Sequence, residues 1–117
     1  MKTRPTDLTD GAALEAFVDE HEVALVMFYT AGCSKCAAME PVLGNVARAT
    51  GVPTGLVNPG DDLDLVERFT IRSVPTLVVF DDGEPVGTRA DGFLGAEAVI
   101  AFLDEHVPEY VPEPADS

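Results

Sequence analysis

Apolar side chains occupy consecutive positions in two short stretches, VALVMFY at 23–29 and VPTLVVF at 74–80, and elsewhere recur every three or four residues. A continuous, β-branched run of this length suits a strand covered on both faces, so each predicts a buried strand, the first of them central. Ahead of the first run, LTDGAALEAFVDEH offers Thr9 or Asp10 as a helix cap, with Leu14, Phe17 and Val18 at helical spacing behind it. Behind it, Met39, Val42, Leu43, Val46 and Ala47 keep helical spacing from Cys33 to about Thr50; Pro41 predicts a kink there, and Gly51 closes the helix. PTGLVN reads as a short strand, DDLDLVERFT as a short helix, and DDGEP as the turn of a hairpin joining TLVVF to VGTRAD. GAEAVIAFLDEHV predicts a last helix with Val99, Ile100 and Leu103 inward. The order helix, strand, helix, strand, helix, strand, strand, helix calls for an α/β fold, a central mixed sheet with helices on both faces. Residues 1–107 are expected to form one domain, and the acidic, proline-containing stretch 108–117 a mobile tail.

Charge narrows the partners. The chain carries 21 Asp and Glu against 7 Lys and Arg, a net charge of −14. A phosphate backbone would be repelled by such a surface, because the few cations are scattered, and nucleic acid is excluded as a ligand. Lysine is confined to Lys2 and Lys35, and the acids are spread along the chain, a pattern that reads as the surface of a halophile's protein in preference to an ordinary acidic surface that keeps a protein soluble. The apolar runs are too short to span a bilayer, and MKTRPTDLTD lacks the apolar core of a secretory signal, so a cytoplasmic location with no membrane association is expected.

Both cysteines lie in YTAGCSKCAAMEP, as Cys33 and Cys36. A C-x-x-C can cycle between dithiol and disulfide, supply half of a metal site, or do neither. The apolar strand runs straight into TAGCSKC and the helical pattern begins at the cysteines, which puts Cys33 at a helix N-terminus. Unpaired backbone N–H groups and the helix dipole there favour the thiolate, the nucleophile of disulfide exchange. Cys36, one turn further on, is within reach of a mixed disulfide formed at Cys33. Lys35 between them either favours the thiolate further or is a solvated surface lysine. Two thiolates fill only half of a tetrahedral zinc site, and His21 and His106 fall in predicted helices away from the pair, so no metal is assigned.

Taken together these residues resemble the thioredoxin family. The C-x-x-C follows a central strand, Pro41 comes five residues after the second cysteine, and SVPTLVVF supplies the proline-containing strand start with Val74, Pro75 and Thr76. LTD at 8–10, Asn58 in NPGDD, IRSVPT at 71–76, the DGE turn at 82–84 and Gly92 fall in the family's order, and the match covers residues 8–107. The resemblance implies a thioredoxin fold and a thiol–disulfide oxidoreductase, with Cys33 as nucleophile, Cys36 as resolving thiol and Lys35 modulating their pKa. It further implies that Pro75 is cis and faces the cysteines, and that Val74, Pro75 and Gly92 bind an extended segment of the substrate. Disulfide-containing proteins as substrates, a thioredoxin-reductase-type electron donor, no cofactor and a monomeric state follow from the same likeness. The sequence also departs from the family. Gly32 replaces the tryptophan of W-C-G-P-C, Ser34 and Lys35 replace its central Gly-Pro, and Met27 and Leu56 stand where relatives bury an aspartate and a lysine that handle protons. Tyr29 stands where the family often has a second aromatic. Two alternatives remain at this stage: a glutaredoxin-like enzyme using glutathione, and a non-catalytic thiol- or metal-binding module.

Overall fold

The structure, a computed structural model, describes residues 5–110. Nine regular elements follow one another: β1 (Thr6–Leu8), α1 (Gly11–Glu20), β2 (Val23–Phe28), α2 (Ser34–Thr50), β3 (Thr54–Val57), α3 (Asp64–Arg68), β4 (Thr76–Asp81), β5 (Glu84–Arg89) and α4 (Ala96–His106). The sheet order is β1-β3-β2-β4-β5. β1, β3 and β2 run parallel, and β4 and β5 are antiparallel to their neighbours, so the sheet is mixed.

All six side chains of β2 are buried, and they alternate between two cores. Val23, Leu25 and Met27 face α2 and α4 through Met39, Leu43, Phe102 and Leu103. Ala24, Val26 and Phe28 face α1 and α3 through Leu14, Phe17 and Leu65. The period of two along the strand is therefore what divides the apolar run between the two faces. On α4 the inward residues are Val99, Phe102 and Leu103; Ile100 is only partly buried, so Phe102 takes the place expected for it.

Local chemistry sets the element ends. Asp10 caps α1 by accepting a hydrogen bond from the Ala13 N–H at 2.8 Å, an arrangement that contributes about 1 kcal/mol. α2 runs through Pro41 without ending and stops at Gly51, whose left-handed backbone donates its N–H to the Ala47 carbonyl. Asp82 and Gly83, both with positive φ, make the two-residue turn between β4 and β5. β5 is an edge strand, with Pro85 where its register shifts and charged residues at both ends, Glu84 and Arg89.

The expected element order omits β1, which pairs with β3 through Thr6–Gly55, Asp7–Leu56 and Leu8–Val57. Gly55 makes room for it: a Cβ there would come within 2.6 Å of Leu8 Cδ1. At the other end, Pro108–Tyr110 form a short 3-10 helix after the buried Val107. Residues 111–117 of the expected mobile tail lie outside the described residues.

Candidate functional site

Four connections meet at one end of the sheet. The Phe28–Thr76 pairing sets the C-terminal end of β2 beside the start of β4, Leu77–Arg89 brings the end of β5 to the same edge, and Tyr29 N–H donates to the Val57 carbonyl at 3.0 Å to hold the end of β3 there. The segments 29–33, 58–63, 70–75 and 90–95 are thus neighbours in space although they are spread over more than half the chain.

The cysteines stand where 29–33 becomes α2. Cys33 is the N-cap of that helix, and its sulfur accepts a hydrogen bond from the Cys36 N–H at 3.1 Å. The helix start therefore aims a backbone donor at the sulfur, the arrangement that favours a thiolate once the bond is reduced. In this structure the two cysteines are joined as a disulfide, with Cα atoms 5.2 Å apart. Their environments differ sharply: Cys33 is half-buried, whereas Cys36 is 2% exposed and belongs to the core cluster with Met27, Met39 and Leu77. A reactant from solvent meets Cys33 first.

The Val74–Pro75 peptide bond is cis. Pro75 is buried, and Val74 packs onto the same cluster as Cys33. The Thr76 hydroxyl donates to the Ser73 carbonyl at 2.6 Å, which fixes the turn entering β4. Gly92 has φ +84°, and the Lys35 side chain lies against it, with Nζ 3.7 Å from where a Cβ would be. A hydrogen bond from the Leu94 N–H to Met39 Sδ (3.3 Å) ties this turn to α2. The sequence brought no attention to Met39 beyond its helical spacing.

Beneath the cysteines the sheet is apolar. Met27 and Leu56 are register partners across β2 and β3, 1% and 6% exposed, and both lie in the cluster containing Cys36. Tyr29 is partly buried; burial first, and then the negative charges of Asp7, Asp61 and Glu40, raise its hydroxyl pKa, so at neutral pH it is an uncharged phenol. Gly32, with φ +80°, has open space where a side chain would project. His21 meets Phe17 edge-on and His106 meets Phe102 in the same way, at the helix ends. Among the described residues no group of three or more His, Cys, Asp or Glu is arranged to hold a metal ion, and no helix is long and apolar enough to cross a membrane.

One further feature had no signal in the sequence. A cleft of about 320 Å³ opens between the 29–33, 58–63 and 70–75 segments, lined by Thr30, Pro59, Leu63, Val66, Ile71 and Arg72 among others. Each of these residues is unremarkable in its own segment, and only the topology assembles them.

Comparison with known proteins is consistent across sequence and structure. The thioredoxin family model matches residues 6–105. Thioredoxin from Mycobacterium tuberculosis is 29% identical over 109 residues, covering 92% of this chain and 93% of the relative. Thioredoxin from Chlamydia caviae is 31% identical over 85 residues, covering 72% and 82%. A mutant thioredoxin from Halobacterium salinarum NRC-1 superimposes with a TM-score of 0.83 at 25% identity, over 96% of both chains.

Proposed function

The chain belongs to the thioredoxin family and is a thiol–disulfide oxidoreductase, and from that premise we propose that it reduces disulfides in protein substrates with Cys33 attacking and Cys36 resolving. The Cys33 thiolate attacks one sulfur of the substrate disulfide, that bond breaks, and the other substrate sulfur leaves as a thiolate that takes a proton from water. Cys36 loses its proton to water and attacks Cys33 Sγ, closing the Cys33–Cys36 disulfide and releasing the second substrate thiol. Two electrons and two protons pass from the dithiol to the substrate, and a thioredoxin-reductase-type donor restores the dithiol. The observation that carries this assignment of roles is the contrast between a half-buried Cys33, capped by the Cys36 N–H, and a Cys36 that is 2% exposed. Lys35, beside Gly92 at the helix start, lowers the pKa of the pair by its positive charge.

The backbone at Val74 and Pro75, with that of Gly92 across the site, receives an extended stretch of substrate by strand-like hydrogen bonds. The protein works as a cytoplasmic monomer in a halophile; the net charge of −14 and the scarcity of lysine support the halophilic part of that reading. The test is alkylation of the reduced protein against pH, with disulfide reductase assays of Cys33→Ser and Cys36→Ser. Cys33 is expected to react first, with a titration below that of a free cysteine near 8.5. Cys33→Ser should abolish turnover and Cys36→Ser should stall at the mixed disulfide. Full reductase activity in Cys33→Ser, or faster modification of Cys36, overturns the assignment.

A further inference from the structure

We propose that the cleft beside the dithiol selects substrates whose disulfide is flanked by an apolar side chain and a carboxylate, and that Arg72 is the specificity-determining residue that reads the carboxylate. This deepens the oxidoreductase reading and rests on it. The cleft, about 320 Å³, is at the lower end of the roughly 300–1,000 Å³ typical of ligand pockets, room for a side chain or two of a docked segment. Its walls are apolar at Pro59, Val66, Ile71 and Val74, and Leu63 stands at the rim 70% exposed. A large apolar side chain kept in water beside such a cleft gains by being covered. Arg72 is the charged residue of the lining.

The second observation concerns the cations. Arg68 pairs with Glu15, Arg89 with Asp91, and Arg48 donates to Asn45. Among the described lysines and arginines, Lys35 and Arg72 alone make no such side-chain interaction. Both stand at the end of the sheet that holds the cysteines. In a chain with 21 acids and 7 basic residues, carboxylates are abundant, yet the exposed Arg72 is left with its guanidinium fork unused. That fork matches a carboxylate in two parallel hydrogen bonds, and no neighbour competes for it. Asp61 and Asp64 are exposed and follow the lining residues Gly60 and Leu63 directly in the chain, so a substrate carboxylate set near them and away from Arg72 is repelled. The selection is therefore for a carboxylate at one position and not for negative charge at large.

The experiment measures kcat/KM for reduction of four disulfide peptides that differ only beside the cysteine: Leu with Glu, Leu with Gln, Leu with Lys, and Ser with Glu. At low ionic strength the Leu–Glu peptide should be reduced about tenfold faster than Leu–Lys, with the margin shrinking in molar salt. The Ser–Glu peptide should fall below Leu–Glu. Arg72→Gln should remove the charge preference and Arg72→Glu should reverse it, while Lys35→Gln retains it. Equal rates for the charged peptides, a preference for Leu–Lys, or an unchanged preference in Arg72→Gln overturns the proposal. Reduction of a small aromatic disulfide without discrimination among the peptides sinks the specificity alone; failure to reduce even that compound removes the oxidoreductase reading beneath it.

Discussion

Tyr29 sits at the exit of β2 with its ring partly covered and carboxylates of Asp7, Asp61 and Glu40 acting on its hydroxyl. Burial and those charges favour the neutral phenol, so the folded chain holds this proton more tightly than the unfolded chain does. The stability linked to it is complete below the unfolded tyrosine value near 10 and is lost as pH rises through the higher folded value. Tyr29→Phe removes the ionisable group, and the alkaline limb of its unfolding curve should move to higher pH. Ultraviolet titration of tyrosinate checks the cause: the substitution should remove a tyrosinate signal that appears above the ordinary tyrosine value near 10. An unshifted alkaline limb would mean that other groups control it. At the same scale, the roles proposed for Cys33 and Cys36 rest on a difference in exposure that the motif hints at but does not contain. A C-x-x-C at a helix start puts one sulfur on the cap and the other a turn inward; the packing of Met27, Met39 and Leu77 around Cys36 is what makes the contrast large.

At the scale of elements, β2 and β3 meet under the site as Met27 beside Leu56, and this apolar pair supplies no group to take the Cys36 proton. Met27→Asp would put a carboxyl there with a pKa raised by desolvation, able to take that proton near neutral pH. The variant should lose about 2–4 kcal/mol of stability. Resolution of the mixed disulfide should nonetheless become faster and less steep in pH, as followed by single-turnover kinetics. A less stable protein with an unaltered pH profile would show that Met27 only fills the core. These elements were largely legible beforehand, because β2 and β4 are unbroken apolar runs and α1, α2 and α4 repeat at helical spacing. β1 was not: three residues carry no periodicity, and the strand exists because β3 offers an edge and Gly55 lets Leu8 come close. The kink expected at Pro41 gave no break in α2; the missing N–H costs the one bond to the Ala37 carbonyl, and the helix is held on both sides of it by Met39 and Leu43 in the core. The cleft was equally out of sight, since Thr30, Leu63 and Arg72 lie in three segments that only the sheet order brings together.

For the whole molecule the dominant long-range term is self-repulsion at a net charge of −14. The Debye length is about 30 Å at 0.01 M salt and about 3 Å at 1 M, so in dilute buffer nearly every carboxylate feels the others across a body with a radius of gyration of 13.2 Å. The melting temperature should therefore rise steadily from dilute buffer to molar potassium chloride, which calorimetry would follow. Equal stability in both would remove the halophilic reading and leave the redox chemistry untouched. The placement of β2 has a consequence of another kind. Because alternate side chains of this one strand supply both cores, neither layer of helices can come away without exposing the strand on which the other rests. The molecule has a seam and not a hinge, and its interior should open all at once. In deuterated water the amide protons of residues 24–28 should exchange only through complete unfolding, at a free energy equal to the global one, while those of edge strand β5 are lost through smaller openings. The dithiol is thereby mounted on the last part of the protein to let go.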